Sequence, residues 1–459
     1  MAWLIKGALI VPVTPLAPLT GDLGDKEDKP GFSKPWFTGD IAVAADRIVA
    51  IGEDLSAELP ALTAKYGELT PIPAQSFIAM PGLVNAHSHS VMNLFRGAGD
   101  DMTLEDWLFK RIFPLEDKLD GRAAAIGAAS AVLEMIGSGT TCCCDSYFFM
   151  DEVAQVMLDS GIRANLGRGL TDAAGPGSGA GRLAEAEALF KKWQNAGEGR
   201  IKFWLAPHAP YTCSDEYLQE ILAKAAELQV GLNIHVAETR TEFNESLAKY
   251  GMTPVERLNS LGLFDQVPRV PVLAVHCVWL TEDDRRIMKD KKVSVVHNPQ
   301  SNLKLGSGIG QIPALMAAGV PVALGTDGAA SNNNLDLWEE IRGAALIHKG
   351  ERHNPTLMPA AQVLQMACPI GAKAIGFPEC GTLAVGQKAD IILIDLDQPN
   401  MRPLIDPISQ LVYSAGPANV DTVMIDGRLV LRKKEFLTLD KEKILFEVQQ
   451  KAEELLSGM

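Results

Sequence analysis

The sequence predicts an α/β protein that combines a (β/α)8 TIM-like barrel with a small β-sandwich domain built from both termini. Short apolar runs alternate with helix-like stretches through the middle of the chain, which is typical of the barrel. Strand-and-turn patterns without intervening helices occur near both ends, which predicts one shared sandwich. We expect the sandwich at residues 1–75 and 381–435, the barrel at 76–380, and a closing helix at 436–459.

The segments near the two termini have the same sequence pattern of short apolar strands and turns. Residues 2–11 are mostly apolar, and 39–52 hold two short β runs around an Asp-Arg turn. Near the other end, 388–396 reads as a buried strand, and 421–431 has an Asp-Gly turn between apolar runs, a hairpin signal. The insertion at 14–38 is rich in Pro, Gly and charged residues and is expected to be an extended loop.

The barrel prediction depends on eight apolar runs of strand length. A helix at 120–137, with Asp120 as its N-cap and Gly137 as its terminator, separates the first two of them. The predicted strands are 76–87, 140–146, 163–169, 201–207, 231–235, 272–276, 293–297 and 320–327.

Bulk properties narrow the class of protein. The chain of 459 residues is longer than a single hydrophobic core usually supports, so more than one domain is expected. Its content of 47% hydrophobic and 22% charged residues is typical of a globular protein. The net charge of −15 argues against nucleic acid or an anionic membrane as a partner.

Neither a signal peptide nor a membrane span is evident in the sequence. The consecutive Cys142, Cys143 and Cys144 suit a buried strand rather than disulfides. A cytoplasmic location is therefore expected.

Histidines mark the ends of the predicted strands. Six of the eight, and also Asp327, stand at or just past such an end: His87, His89, His208, His235, His276 and His297. In a (β/α)8 barrel, polar groups at the C-terminal strand ends form the active site. Neutral imidazoles and a carboxylate are the ligands that a catalytic divalent metal requires. His348 and His353 lie in a polar stretch and receive no role.

Individual positions suggest individual roles. His87 and His89 are two residues apart on a strand, so both side chains can reach one ion. Glu238 follows His235 by three residues, which suits a carboxylate that moves protons, whereas Glu242 and Glu245 fit the surface better.

The remaining positions leave alternatives open. His276 either ligates the metal or hydrogen-bonds its water, and Asp327 can both ligate the ion and accept the proton of that water. One metal is expected, because the fourth predicted strand ends at His208 rather than at a bridging lysine, and Lys202 lies near its beginning.

Several motifs identify a family resemblance. The chain resembles the amidohydrolase superfamily from about residue 41 to residue 428, and within it is most similar to the 5′-methylthioadenosine/S-adenosylhomocysteine deaminases. The motifs are Pro81-Gly-Leu-Val-Asn-Ala-His-Ser-His89, His235-Val-Ala-Glu238, His276-Cys-Val, His297-Asn-Pro-Gln-Ser-Asn302 and Gly325-Thr-Asp-Gly-Ala-Ala-Ser331.

The resemblance implies a nucleoside pocket. Glu116 corresponds to a residue that accepts hydrogen bonds from the ribose hydroxyls, and Trp107 would pack on the thioether or the sugar. Arg168 and Arg182 match positions near the tail of the substrate, where a guanidinium suits a homocysteine carboxylate. His208 matches a nucleoside-binding position.

The resemblance also implies a mechanism. The predicted metal ligands are His87, His89, His235 and Asp327. Glu238 would protonate N1 of the adenine ring while water adds to C6, and His276 would hydrogen-bond the attacking oxygen. Asp327 would take its proton and help to pass it to the departing amine. Glu238 and Asp327 would therefore contact the substrate as well.

The expected function is metal-dependent hydrolytic deamination of 5′-methylthioadenosine, S-adenosylhomocysteine or adenosine to the inosine analogue and ammonia. One divalent ion per subunit is expected, Zn²⁺ first, with Fe²⁺ or Mn²⁺ compatible with the same ligands. The partner would be the small-molecule nucleoside, and a homo-oligomer is the expected assembly. Two alternatives remain: an aminohydrolase of another heterocycle, such as a triazine or guanine, and a non-catalytic barrel scaffold.

Overall fold

The computed structural model describes residues 1–14, 35–102, 104–175, 177–267 and 269–457, without the side chains of Leu104 and Glu105. Most of the expected loop at 14–38 lies outside these residues. The strands in chain order are β1 (Ala2–Ile10), β2 (Phe37–Ala44), β3 (Arg47–Gly52), β4 (Thr70–Pro73), β5 (Phe77–Pro81), β6 (Leu83–Ser88), β7 (Thr140–Tyr147), β8 (Arg163–Leu170), β9 (Ile201–Pro207), β10 (Leu232–Val236), β11 (Val272–His276), β12 (Ser294–His297), β13 (Val322–Leu324), β14 (Ile391–Asp395), β15 (Val420–Ile425), β16 (Arg428–Arg432) and β17 (Glu435–Phe436).

Helices separate the strands of the barrel, β6 to β13. The α-helices in chain order are α1 (Leu59–Tyr66), α2 (Leu104–Trp107), α3 (Phe113–Glu116), α4 (Gly121–Gly137), α5 (Met150–Ser160), α6 (Ala180–Trp193), α7 (Ala196–Gly199), α8 (Asp215–Leu228), α9 (Arg240–Tyr250), α10 (Pro254–Ser260), α11 (Glu282–Asp290), α12 (Pro299–Lys304), α13 (Ile312–Ala318), α14 (Ala329–Asn332), α15 (Leu337–Glu351), α16 (Ala360–Gln365), α17 (Gly371–Ala374), α18 (Pro407–Tyr413) and α19 (Lys441–Leu456). Asp120 caps α4 by accepting the Ala123 N–H at 2.7 Å, as the sequence predicts. Among the described helices, none combines the length and the hydrophobicity that crossing a membrane requires.

The barrel is present as predicted. Across the described ranges, β6 to β13 form an eight-stranded sheet in which each strand pairs with its neighbour in sequence. The ladder closes where the N–H of Asp327, just after β13, donates to the carbonyl of His87 on β6 at 3.0 Å. The C-terminal ends of all these strands therefore surround one mouth.

The predicted strand at 76–87 is two strands in different sheets. β5 pairs with β1 and β14, while β6 begins the barrel. The chain changes sheets at Gly82, where a Cβ atom would lie 2.1 Å from Thr141 Oγ1, so only glycine fits this crossing. A continuous apolar run hides the break, because both strands are buried.

The second sheet contains strands from both ends of the chain, which confirms the shared sandwich. Within the described residues its order is β17-β16-β15-β14-β5-β1-β2-β3, with β4 beside β1. A buried ion pair ties it to the barrel: Arg163, at the start of β8, donates to Asp390 at 2.9 and 3.1 Å. Arg163 also donates to Asp426 at 2.9 Å.

Candidate active site

A cavity of about 270 Å³ opens at the C-terminal mouth of the barrel. Its wall combines polar groups from the strand ends with apolar side chains from the segment that follows β6. Among the lining residues are His89, Trp107, Leu108, Ile112, Phe113, Glu116, Tyr147, Phe148, His208, Tyr211, His235, Glu238, His276 and Asp327. A larger cavity of about 630 Å³ lies between α4, α19 and the second sheet, and its lining includes none of the predicted site residues.

Four side chains converge at the base of the mouth. One ligand atom from each of His87, His89, His235 and Asp327 lies within 4.8 Å of the other three. His87 Nε2 is 3.2 Å from His235 Nε2 and 3.4 Å from Asp327 Oδ1, and His89 Nε2 is 3.3 Å from the same oxygen. The structure therefore brings together all four of the predicted ligands.

The hydrogen bonds of the imidazoles fit a divalent metal. His89 Nδ1 lies 2.6 Å from the Ser146 carbonyl, and His235 Nδ1 lies 2.7 Å from the His208 carbonyl. Because a carbonyl only accepts, each Nδ1 carries the proton, and each Nε2 lone pair is left for an ion. Lone pairs and a carboxylate at this spacing repel one another unless a cation lies between them.

The electrostatics of the cluster agree with a neutral His87 and an ionised Asp327. Burial lowers the pKa of His87 to about 4. Burial alone would raise the pKa of the Asp327 carboxyl. The His87 hydrogen bond and the charges of His89 and His276 have the larger effect in the opposite direction, so the pKa of Asp327 is well below its ordinary value. These are the protonation states in which the side chains ligate a metal.

Glu238 and His276 lie next to each other in the cavity. His276 Nε2 lies 3.7 Å from Glu238 Oε2, and Nδ1 is 2.9 Å from Asn302 Oδ1. Burial raises the pKa of the Glu238 carboxyl, and the charge of Asp327 adds to the increase. For His276, the charges of Glu238 and Asp327 outweigh the effect of burial, and its pKa rises. A carboxyl that holds its proton at higher pH suits acid–base chemistry.

The predicted ribose contact lies in the same cavity. Tyr147 OH donates a short hydrogen bond to Glu116 Oε1. Burial raises the pKa of Glu116, and this hydrogen bond acts in the opposite direction. Trp107, only 6% exposed, lines the same cavity. His208 also lines the cavity, and burial lowers its pKa to about 4.

The two predicted arginines do not line this cavity. Arg168 Nε donates to Glu185 Oε2 at 2.9 Å, and its guanidinium lies over the Phe148 ring, 5.2 Å from the centroid. Arg182 donates to the carbonyls of Thr171 and Ser178 at 3.0 and 3.1 Å. Their role toward a substrate carboxylate stays a prediction.

One of the strand-end histidines lies outside the site. His297 ends β12, but its ring packs against His348 of α15, with 5.4 Å between the ring centroids. Alternation along the strand explains this, because the neighbouring Val296 and Asn298 both lie beside Gly325 and His297 points the other way.

Several buried groups that support the site are not among the predicted site residues. The Asp145 carboxylate accepts from Ser88 Oγ at 2.9 Å, and from the N–H and the hydroxyl of Ser90 at 2.6 and 3.0 Å. These contacts fix the turn that follows His89. Glu242 is buried rather than at the surface as expected. An acidic residue closing a predicted barrel strand, such as Asp145, was the available clue.

A (β/α)8 barrel whose mouth gathers three imidazoles and a carboxylate is typical of enzymes whose active site can hold a metal ion. Residues 78–430 match the Amidohydrolase family. The 5-methylthioadenosine/S-adenosylhomocysteine deaminase of Caldanaerobacter subterraneus is 46% identical over 400 residues, 85% of this chain and 92% of the relative. The 5′-deoxyadenosine deaminase of Methanosarcina acetivorans is 42% identical over 99% of this chain and 98% of its own.

Solved structures of other proteins have the same fold as this chain. A zinc-bound adenosine deaminase from Xanthomonas campestris superposes with a TM-score of 0.88 at 34% identity, covering 99% of this chain and 98% of its own. The atrazine chlorohydrolase of Arthrobacter aurescens shares the fold at 23% identity and a TM-score of 0.84, covering 98% of this chain and 99% of its own. The chain belongs to the amidohydrolase family, and it is an enzyme, a hydrolase.

Proposed function

We propose that this enzyme hydrolytically removes the 6-amino group of adenine nucleosides, with 5′-methylthioadenosine, S-adenosylhomocysteine and adenosine as the candidate substrates, and releases ammonia and the inosine analogue. The observation that carries the proposal is one cavity that contains a metal-suited cluster, the acidic Glu238 and the half-buried Glu116. The relatives at 42–46% identity that are named deaminases of such nucleosides support it.

The metal-suited cluster is proposed to hold one divalent ion. When bound, such an ion lowers the pKa of a coordinated water enough to make it a nucleophile near neutral pH. Zinc is the first candidate, since the Xanthomonas relative binds it. The proposed ligands are His87, His89, His235 and Asp327.

Glu238 is proposed to protonate N1 of the purine as water adds to C6. Its raised pKa suits this donor, because the carboxyl keeps a proton at a higher pH than an exposed glutamate. His276, held by Asn302, would orient the attacking oxygen through Nε2. Asp327 would accept one proton of the attacking water and pass it to the leaving amine, so that ammonia departs neutral. The second proton of the water would go to Glu238 and restore its acid form.

The other end of the cavity is proposed to bind the sugar and its 5′ substituent. The half-buried carboxylate of Glu116 can accept hydrogen bonds from two vicinal hydroxyls. Apolar side chains near it, Trp107, Leu108 and Phe113, suit a methyl, deoxy or thioether group. The pairing of Arg168 with Glu185 favours an uncharged 5′ substituent over an amino-acid tail.

The test is ammonia release from purified, zinc-loaded enzyme offered five substrates in parallel. They are 5′-methylthioadenosine, S-adenosylhomocysteine, adenosine, guanine and melamine. Turnover of the adenine nucleosides alone is expected, and its loss in the Glu116→Ala variant would locate the ribose contact. Turnover of only guanine or melamine would overturn the nucleoside assignment while leaving the hydrolase in place. No turnover by metal-replete enzyme would favour a non-catalytic barrel.

A further inference from the structure

Glu242 is a buried carboxylate in the first turn of α9, next to the segment that carries Glu238. Only 6% of its surface is exposed, whereas Glu245 on the same helix faces solvent. A carboxylate is costly to bury unless hydrogen bonds replace its water shell. The buried Glu242 carboxylate therefore needs hydrogen-bond donors from the protein.

Both donors come from the backbone that follows β10. The N–H of Ala237 donates to Glu242 Oε1 at 2.9 Å, and the N–H of Glu238 donates to Oε2 at 2.8 Å. Ala237 has a φ of 52°, in the left-handed region that alanine adopts only at a cost. The two hydrogen bonds to the Glu242 carboxylate stabilise the turn at residues 237–238 from one side.

The same turn is held from the other side by the end of β11. The Ala237 carbonyl accepts from the N–H groups of Val278 and Trp279, both at 3.0 Å. These residues closely follow His276 in the chain. The peptide unit between residues 237 and 238 is thus fixed at both its N–H and its C=O ends, and its position relates Glu238 to His276.

We propose that Glu242 is a positioning residue that acts through Glu238. It would hold the 237–238 backbone so that the Glu238 carboxylate lies beside His276 Nε2, at 3.7 Å, and near Ser307 Oγ, at 3.4 Å. Both carboxylate oxygens of Glu242 accept hydrogen bonds from the backbone, and Glu242 is not among the residues that line the cavity. The inference rests on the proposed function only in taking Glu238 as the proton carrier.

The consequence for catalysis follows from geometry. Proton transfer requires the donor within hydrogen-bond reach of the accepting atom, and a displacement of about 1 Å costs about 10²-fold in rate. In Glu242→Ala the two N–H groups lose their acceptor, while the bonds to the Ala237 carbonyl remain to hold the chain. In Glu242→Gln one oxygen acceptor remains.

The experiment is a double-mutant cycle between positions 238 and 242, run on whichever amino-heterocycle the wild-type enzyme deaminates. A wrong nucleoside assignment therefore leaves this test intact. Glu242→Ala is expected to lower kcat by about 10²-fold with KM nearly unchanged. Glu242→Gln should recover part of the loss, and the exposed Glu245→Ala serves as the control with unchanged kcat. Bound metal should stay at the wild-type level throughout.

The decisive comparison is made in the Glu238→Gln background. If Glu242 acts through Glu238, removing it there changes kcat by no more than roughly twofold. A loss as large as in the wild-type background would overturn the proposal, as would full activity of Glu242→Ala or of Glu238→Gln. As an independent readout, hydrogen exchange should accelerate in Glu242→Ala at the backbone following β10, and faster exchange throughout the barrel would instead indicate a role in folding.

Discussion

Ser301 Oγ donates a 2.7 Å hydrogen bond to Asp327 Oδ2, the carboxylate oxygen that does not face the imidazoles. Ser331 Oγ donates to the same oxygen at 2.8 Å, and both serines are buried. Oδ1 meanwhile lies 3.4 and 3.3 Å from Nε2 of His87 and His89. The two hydroxyls therefore fix which oxygen is presented to the site.

The first prediction concerns these two serines. The double variant Ser301→Ala/Ser331→Ala frees Oδ2, so the carboxylate can rotate away from the imidazoles. A hydrogen bond to a charged group contributes roughly 1.5–3 kcal/mol, which predicts a loss of about tenfold to a hundredfold in kcat. The measurement is steady-state turnover with metal content assayed alongside. Ser246→Ala, which removes a buried hydroxyl that donates to Met252, is the control, and equal losses in both would contradict the prediction.

The second prediction separates metal binding from proton transfer. His87→Ala removes a fully buried imidazole at the centre of the cluster and is expected to lose its metal and its turnover together. Glu238→Gln keeps the ligands but cannot donate a carboxyl proton, so it should retain metal and lose turnover. Elemental analysis of purified protein beside the ammonia assay makes the distinction. Stoichiometric metal in His87→Ala would remove it from the ligand set.

The third prediction concerns the pairing of Arg168 with Glu185. In Glu185→Gln the guanidinium loses its anionic partner and becomes available for a substrate carboxylate. The Glu185 side chain is 45% exposed, so the pair contributes at most about 1 kcal/mol. The ratio of kcat/KM for S-adenosylhomocysteine over 5′-methylthioadenosine should therefore rise by up to about fivefold. Glu187→Gln, on the same helix but paired with lysines, is the matched control, and an identical ratio in both variants would refute the pairing effect.

The strand-end histidines were predictable because the C-terminal ends of all the strands of a barrel lie at the same mouth. An apolar run that ends in a polar residue places that residue at the mouth, and this rule alone predicts the approach of His87, His235 and Asp327. The rule does not specify on which side of a strand a residue lies, and so it wrongly groups His297 with the site.

The supporting carboxylates could not be found in the same way. Whether a helix carboxylate such as Glu242 faces the barrel or solvent depends on how the helix packs, and the sequence of α9 places the buried Glu242 only three residues before the exposed Glu245. The break between β5 and β6 was missed for a related reason. Burial on both sides of Gly82 makes two strands look like one run of apolar residues.

The last prediction concerns stability rather than catalysis. Asp390→Asn leaves Arg163, only 1% exposed, without its main counter-charge between the barrel and the second sheet. Breaking a buried pair from one side costs roughly 3–5 kcal/mol, so a lower thermal midpoint and unchanged metal content are expected. Glu198→Gln, which removes an exposed partner of Arg428, is the control and should shift the midpoint little.

The pH dependence of this effect has a definite sign. Burial raises the pKa of Asp390, but the charge and hydrogen bonds of Arg163 prevail and lower it below its ordinary value of 3.8. A depressed folded-state pKa means that the stabilisation is complete above the unfolded pKa and is lost as the pH falls through the folded one. The difference in midpoint between wild type and Asp390→Asn should thus be constant from about pH 8 to 5 and shrink only in stronger acid. A difference that already disappears near pH 6 would show that the ion pair is not what holds Arg163 in place.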